Sequence, residues 1–512
     1  MRVLRALLVL AAAWLAADAA CAQTVTSEKP DSVSVSIYRA TDRGADDPIE
    51  LQWLGGYALI TETRTVTIPQ GRAVIRFEGV AGRILPESVI VTGLPEGVRE
   101  KNMDADLLSE ASLYARSLNR PVTIRRTVDG KQIEERAIIR SGADGAAIFE
   151  TAQGFFAADC RRPEEIVYDR VPAGLSAKPT LSVETESPRS GRVRLTLSYL
   201  AWGYDWQANY VATMHPGGKT ADLFAWVTLA NGDVTSFDNA EAMVIAGRPN
   251  REDYDEPEAP EAEPLSFRCL ALPAPEISVT VLPAPELEAR GINTVAEALQ
   301  RVSADGIGDI IVTGSLVRQE NLGDFKLYRI PHNTTVASLS QKQVALLDQP
   351  SVPVEVVYRS RVYDDELRDE DRPVELVLRA QNRKEKGLGL PLPQGSVAVF
   401  EPQGGQRLLI GEGAITDKAI GEEVEVEMSA ATQVGATIEA GESGRGWEEH
   451  LLQVSNANPY PVRYEAELEV SDSYRLGKAS ARLIRRKSRD VWIVEVPANG
   501  TAQLRYRLKH VD

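Results

Sequence analysis

Apolar and polar residues alternate with a period of two along much of this chain, and that period constrains the fold more than any other feature. Val33-Ser34-Val35-Ser36-Ile37, Ala73-Val74-Ile75-Arg76-Phe77 and Val193-Arg194-Leu195-Thr196-Leu197-Ser198-Tyr199 show it in the first half. Val424-Glu425-Val426-Glu427-Met428, Tyr464-Glu465-Ala466-Glu467-Leu468-Glu469-Val470 and Leu504-Arg505-Tyr506-Arg507-Leu508 repeat it in the second. Successive side chains of a strand point to opposite faces, so each run has one face that packs and one, often charged, that is expected to be wet. One packed and one solvated face is the signature of antiparallel sheets stacked in pairs. The expected fold is mainly β, in antiparallel β-sandwich-like domains with a few short helices. Asp129-Gly130, between two such runs, reads as a hairpin turn.

Two segments change period. Asp106 to Leu118 places Leu107, Leu108, Ala111, Ala115 and Leu118 on one helical stripe and stops before Pro121. Asn293 to Val302 aligns Val295, Ala298, Leu299 and Val302 in the same way. Arg251 to Glu288 has neither period. It holds seven prolines and a run of acids before Cys269, and reads as an exposed linker or insertion. The expected organisation is a signal peptide over 1–22 and an N-terminal β domain with one helix over 23–190. A second β domain follows over 191–512, interrupted at about 251–305. A transmembrane β-barrel is disfavoured: aromatics are 6%, too few for two girdles, and the strands carry charge on their polar face.

Residues Met1 to Ala22 have the three parts of an export signal. Arg2 and Arg5 open it, Leu7 to Ala17 are apolar, and Ala20-Cys21-Ala22 is an A-x-A site, so cleavage is expected between Ala22 and Gln23. The apolar stretch is short for a membrane span of roughly 20 residues, and no transmembrane helix is expected after the signal. Lipid attachment at Cys21 is the alternative, but Asp18 stands where such sites carry an aliphatic residue. Export places the chain in an oxidising compartment, the periplasm or outer envelope of a Gram-negative bacterium. There Cys160 and Cys269 form a candidate disulfide. It would close a loop of about 100 residues, worth on the order of 4 kcal/mol in the chain-entropy model. Two separately buried thiols are the other possibility.

From about Ser34 onward the chain resembles a bacterial exported family built on domain of unknown function number 4139, which includes mucoidy-inhibitor-like proteins. The clearest stretch is Tyr199-Leu200-Ala201-Trp202-Gly203-Tyr204-Asp205-Trp206-Gln207-Ala208-Asn209-Tyr210. Asp222 to Asn231 and Asn239 to Gly247 continue it. Leu322 to Phe325 with Lys342 to Leu347, and Leu390-Pro391-Leu392-Pro393-Gln394-Gly395 with Gly411-Glu412 and Gly421-Glu422, resemble its later blocks. The resemblance implies β-sandwich-like modules and an envelope location, and it implies no reaction. The long coiled coil of many relatives is absent here. Leu287 to Val302 resembles part of the plug of TonB-dependent outer-membrane receptors, and so does Asp309 to Ser315. The two stand in reversed order with no barrel after them, leaving a receptor-associated docking role as an expectation for that segment alone.

The chemistry-bearing residues form no catalytic pattern. His215, His332, His450 and His510 are far apart and unpaired at metal-ligand spacing, so no metal or cofactor is expected. Gly387-Leu388-Gly389 precedes prolines rather than a helix and reads as a turn. Asp364-Asp365-Glu366 with Asp369, Glu370 and Asp371 lacks a calcium-loop spacing and reads as a solvated charge run. Trp202, Trp206 and Tyr210 are expected to anchor the core, exposed aromatics for glycan binding being the alternative. With 74 acidic against 57 basic side chains the net charge is −17, which argues against a nucleic-acid partner. The expected function is a non-enzymatic binding or structural role toward an unknown protein or envelope polymer. A hydrolase acting on an envelope polymer through a carboxylate pair is the alternative from another class.

Overall fold

The computed structural model describes residues 22–104, 107–128, 131–142, 147–157, 165–172, 175–247, 317–323, 325–364 and 370–511. The fold is mainly β. Every alternating run named above lies in a strand, apart from Val470, which follows its strand's end: Ser32–Tyr38, Gly71–Glu78, Gly191–Trp202, Glu423–Ala430, Val462–Glu469 and Gly500–His510. Strands Pro121–Val128 and Lys131–Ile139 run antiparallel with Val128 opposite Lys131, as a hairpin at 129–130 requires, although those two turn residues lie outside the described set. The insertion at 251–305, with the second helical patch and the receptor-like segment, also lies outside it.

Four bodies make up the described chain. The first is a sandwich. Its smaller sheet holds Gln23–Ser27, Gly71–Glu78, Thr180–Ser187 and Glu100–Asp104. Its larger sheet centres on Phe237–Ala246, Ser32–Tyr38, Tyr57–Ile68 and Gly191–Trp202. Val35, Ile37, Ile60, Ile75, Phe77, Val183 and Leu197 fill the space between them. A small body is inserted between strands Glu100–Asp104 and Thr180–Ser187. It is a five-stranded sheet under the single α-helix of the described residues, Glu110–Arg116. That helix corrects the expected stripe. Its buried residue is Tyr114, edge-on to Phe149 at 6.3 Å, whereas Ala115 and Leu118 are exposed. Two turns of helix cannot carry a stripe over the expected length, so one aromatic docks it.

The expected boundary between 190 and 191 is also corrected, because it falls inside the first sandwich, between Thr180–Ser187 of the smaller sheet and Gly191–Trp202 of the larger. Gly191–Trp202 pairs with Tyr57–Ile68 from Gly191 opposite Ile68 to Trp202 opposite Tyr57. The chain leaves this sheet only at Gly203, whose φ of 83° is the left-handed turn that glycine adopts freely. It continues as Tyr204–Met214 into the third body.

The third body curls around its own core. Tyr204–Met214 lies between Thr220–Asn231 and, in parallel, Gly395–Gln403. Gln406–Ile415 follows on one side; the long strand Ser340–Tyr363, Glu375–Gln381 and Glu423–Ala430 follow on the other. Gly411 and Gly413 bring the two ends together: an added Cβ would stand 2.4 Å from Met428 Cβ or 2.3 Å from the Glu427 carbonyl oxygen. Tyr210, Ala212, Val397, Val424 and Val426 point into the enclosed core, around an apolar cavity of about 40 Å³. Ser340–Tyr363 then runs on into the fourth body, a second sandwich. There it pairs in parallel with Val462–Glu469, above a sheet containing Val434–Gly444, Trp447–Asn456 and Gly500–His510.

Gly395 is the tightest point of this arrangement, since a Cβ there would stand 1.9 Å from the Ala208 carbonyl oxygen. Gly395→Ala is expected to destabilise the protein by at least about 1–3 kcal/mol through strand separation. Gly191→Ala, where nothing lies within 4 Å, should stay within about 0.5 kcal/mol. Urea unfolding of both variants measures the difference.

Candidate functional site

Two of the segments that carry the resemblance, Tyr199–Tyr210 and Leu390–Gly395, meet where the first sandwich joins the curled third body. Tyr204–Met214 and Gly395–Gln403 form a parallel ladder, with Ala208 opposite Gly395 and Asn209 opposite Ser396. Above it lies loop 39–56, which joins Ser32–Tyr38 to Tyr57–Ile68. Asp205, 1% exposed, sits at the centre. Its Oδ1 accepts from the backbone N–H of Ala40 at 3.1 Å and of Trp206 at 2.7 Å, and its Oδ2 from Arg43 Nε at 2.7 Å. Arg43 also donates to the carbonyls of Trp206 and Asp47. Arg39 donates to Asp417 at 2.7 Å with its guanidinium 5.5 Å from the centre of the Trp206 ring, and Asp417 accepts the Gln394 N–H at 2.7 Å.

The three expected aromatic anchors are all buried here. Trp206 donates its indole N–H to the Ile245 carbonyl at 3.2 Å, and Tyr210 its hydroxyl to the Pro393 carbonyl at 2.7 Å. Trp202 meets Tyr57 edge-on at 6.1 Å. Burial pushes the Tyr210 phenol well above its usual range, and it stays a neutral donor. The outer side of loop 39–56 is different. Asp42, Asp46, Asp47, Glu50, Gln52 and Trp53 are exposed there.

Three other carboxylates are fully buried. Glu62 accepts from Arg64 Nε and from the Tyr199 hydroxyl, both at 2.6 Å, inside the first sandwich. Arg64 carries the link onward to the carbonyls of Ser27 at 2.8 Å and Glu78 at 2.9 Å in the smaller sheet. Burial raises the Glu62 pKa against the pull of Arg64 and Tyr199. Asp233 accepts three backbone N–H groups, from Gly82, Arg83 and Thr235, at 2.8–2.9 Å. Glu465 takes a two-pronged contact from Arg379 at 2.8 and 2.7 Å, and further bonds from Arg486 at 3.0 Å and Arg463 at 3.2 Å.

Glu465 corrects the expectation that charged strand faces are wet. The charged faces of Glu423–Ala430 and Val462–Glu469 interlock with arginines of neighbouring strands. Arg359 bonds Glu425 at 2.6 Å, Arg486 bonds Glu423 and Glu425, and Arg361 bonds Glu427. Burial works to raise the Glu425 and Glu465 carboxyls, but the surrounding cations prevail. Arg379 holds Glu465 below its usual range, and Arg359 and Lys487 bring Glu425 down to about 2.

Other expected site residues stay apart. His215 contacts Asp222 at 3.0 Å, His450 is buried beside Tyr506 and His510 packs at a tilt against Tyr474. No three metal-ligating side chains converge among the described residues. Gly387 and Gly389 both have positive φ and form the expected turn. In the acidic run, Asp364 accepts from the Ser471 N–H and hydroxyl at 2.8 and 2.6 Å, and residues 365–369 lie outside the described set. So do Cys21, Cys160 and Cys269, while Gln23 opens the first strand. Among the described residues no helix is long and apolar enough to cross a membrane. Arg39, Arg43, Asp417, Glu62 and Arg64 are the residues that sequence reasoning missed. The phase of Ile60, Glu62, Arg64, Val66 and Ile68, all on the inward face of one strand, was the available signal.

No family model matches the chain, and no curated protein is significantly similar to it.

Asp205→Ala should leave Arg43 without its buried partner, costing about 1.5–3 kcal/mol and raising hydrogen exchange over residues 40–47 while the far sandwich stays protected. The ion network predicts a pH dependence. Glu425 and Glu465 are depressed in the folded state, so their stabilisation is complete above the unfolded value of about 4.3 and is lost as pH falls below it, for Glu425 down to about 2. Denaturant midpoints should drop across that window, and Glu425→Gln should flatten the slope.

Proposed function

We propose that the chain is an exported envelope protein of the family built on domain of unknown function number 4139, acting by binding a protein or envelope polymer rather than by catalysis. The observation that carries this reading is the state of the buried acids. Glu62, Asp205, Asp233 and Glu465 each have both carboxylate oxygens occupied by arginine, tyrosine or backbone donors. A carboxylate serving as acid, base or nucleophile must present an oxygen to substrate. These hold strands together instead.

Export is supported by the A-x-A site ending at Ala22 and by the strand that opens on Gln23, paired in parallel with Gly71–Glu78. Family membership is supported by the motif blocks Tyr199–Tyr210 and Leu390–Gly395, which pack on one another through the Tyr210 hydroxyl and the Ala208–Gly395 ladder. In an oxidising compartment Cys160 and Cys269 are paired, so non-reduced peptide mapping should find them linked.

Purified mature protein incubated with isolated envelope polymer is expected to release no new reducing ends. Protein recovered from cells should begin at Gln23. Release of soluble fragments would overturn the binding reading in favour of the hydrolase, and a retained Met1 would overturn export.

A further inference from the structure

We propose that the apolar tips Trp53, Val234 and Leu339, at one end of the first sandwich, form a docking surface for a protein partner whose matching pocket is apolar and rimmed by lysine or arginine. This rests on the binding reading above and adds the chemistry of the partner.

The three side chains are 80%, 46% and 63% exposed, and they sit on adjoining loops. The Leu339 N–H donates to the Asp233 carbonyl at 3.3 Å. Gly232 packs so close to loop 39–56 that an added Cβ would lie 2.6 Å from the Leu51 carbonyl oxygen, and Gln341 reaches the Ile49 carbonyl at 3.0 Å. Each tip is held from beneath. The Trp53 N–H donates to the Glu50 carbonyl at 3.0 Å, the three bonds to Asp233 fix the turn that carries Val234, and the Ser338 N–H donates to Ser236 at 2.9 Å. Leu339 has a φ of 47°, in the left-handed region that disfavours a side chain. A leucine held there and left in solvent bears strain with no burial to offset it. Such outliers cluster at binding surfaces. A rigid tryptophan flanked by aliphatic tips has the make-up of an interface anchor.

The charge around the patch selects the occupant. Asp42, Asp46, Asp47 and Glu50 are exposed on loop 39–56, whereas its two arginines, Arg39 and Arg43, are turned inward onto Asp417 and Asp205. The cation nearest in the chain to these tips, Lys342, is held by the Thr334 hydroxyl and the Thr335 carbonyl, neutral acceptors that leave its charge in place. The four exposed acids of the loop outweigh it, and a net acidic rim favours a cationic partner and steers its approach. A neutral glycan offers hydroxyl donors but no positive charge to match that rim, and anionic lipid would be repelled.

The test places a photo-crosslinking residue at Gln52 in the full-length protein in intact cells, with a second at Leu408, an exposed position on the third body. Expected at position 52 is a protein adduct whose linked peptide carries net positive charge. Its yield should fall about tenfold or more in Trp53→Ala and in the Asp46→Lys/Glu50→Lys double variant, with melting temperatures unchanged. A glycan or lipid adduct at position 52, no adduct there, or yields unaffected by these substitutions would overturn the proposal. Adducts at position 408 with none at 52 would remove this surface while leaving the binding reading intact. Polymer cleavage by the purified protein would remove the binding reading itself.

Discussion

The carboxylate of Asp205 ties together the parts on which the junction depends. It lies two residues beyond Gly203, where the chain passes from the first sandwich into the curled third body. A buried carboxylate is tolerable only when its oxygens are occupied. Here the donors come from Arg43 and Ala40 of loop 39–56 and from the next residue along the strand. Closing the junction and folding the loop are therefore one event. The Arg43 bond, together with that of Arg39 to Asp417, draws the loop's positive charge inward and leaves its outer side acidic. The exposed chemistry at this end is thus a consequence of how two acids at the junction are satisfied.

Elsewhere the protein handles buried charge on the same terms. Glu62 and Arg64 sit two residues apart on one strand face, and Arg64 reaches across the sandwich to carbonyls at the ends of two strands of the smaller sheet. Replacing such a pair with apolar residues is often neutral for stability, whereas removing one member is costly. The pair's more specific contribution is register: only one alignment of the two sheets places the Ser27 and Glu78 carbonyls within reach of one guanidinium. Glu465 and Arg379 do the same where the third body meets the fourth, with Arg486 and Arg359 from two further strands and Arg463 from Glu465's own strand around them.

How far the fold was legible follows from these cases. Period two located six of the strands, because alternation records which face of a strand packs, but it left their ends open: Gly191–Trp202 runs past Tyr199 and Gly500–His510 begins before Leu504. It does not record what lies over the other face. Glu425 and Glu465 alternate with apolar residues just as solvent-facing acids do, and only the approach of Arg359, Arg379 and Arg486 from other strands covers them. The domain boundary failed for a related reason. Gly191–Trp202 belongs with a strand more than a hundred residues earlier, and Phe237–Ala246 pairs with Ser32–Tyr38, a non-local pairing with no local mark. The aromatic motif was legible as core since Trp206 and Tyr210 share a strand rich in inward-facing small residues. Its partners Arg39 and Asp417 come from distant loops and carried no such signal.

The first, third and fourth bodies are joined by continuous strands, and that bears on what the exposed end can do. The run from Gly191 to Met214 bends only at Gly203, and Ser340–Tyr363 spans the third and fourth bodies as one strand. Motion between bodies would have to break ladder hydrogen bonds or strip donors from buried carboxylates. The loops carrying Trp53, Val234 and Leu339 are therefore fixed against a rigid frame. Association costs most when side chains and loops must be ordered on contact. Here that ordering is already supplied by Asp205 and Asp233, so the contact energy of a few apolar tips can appear as affinity.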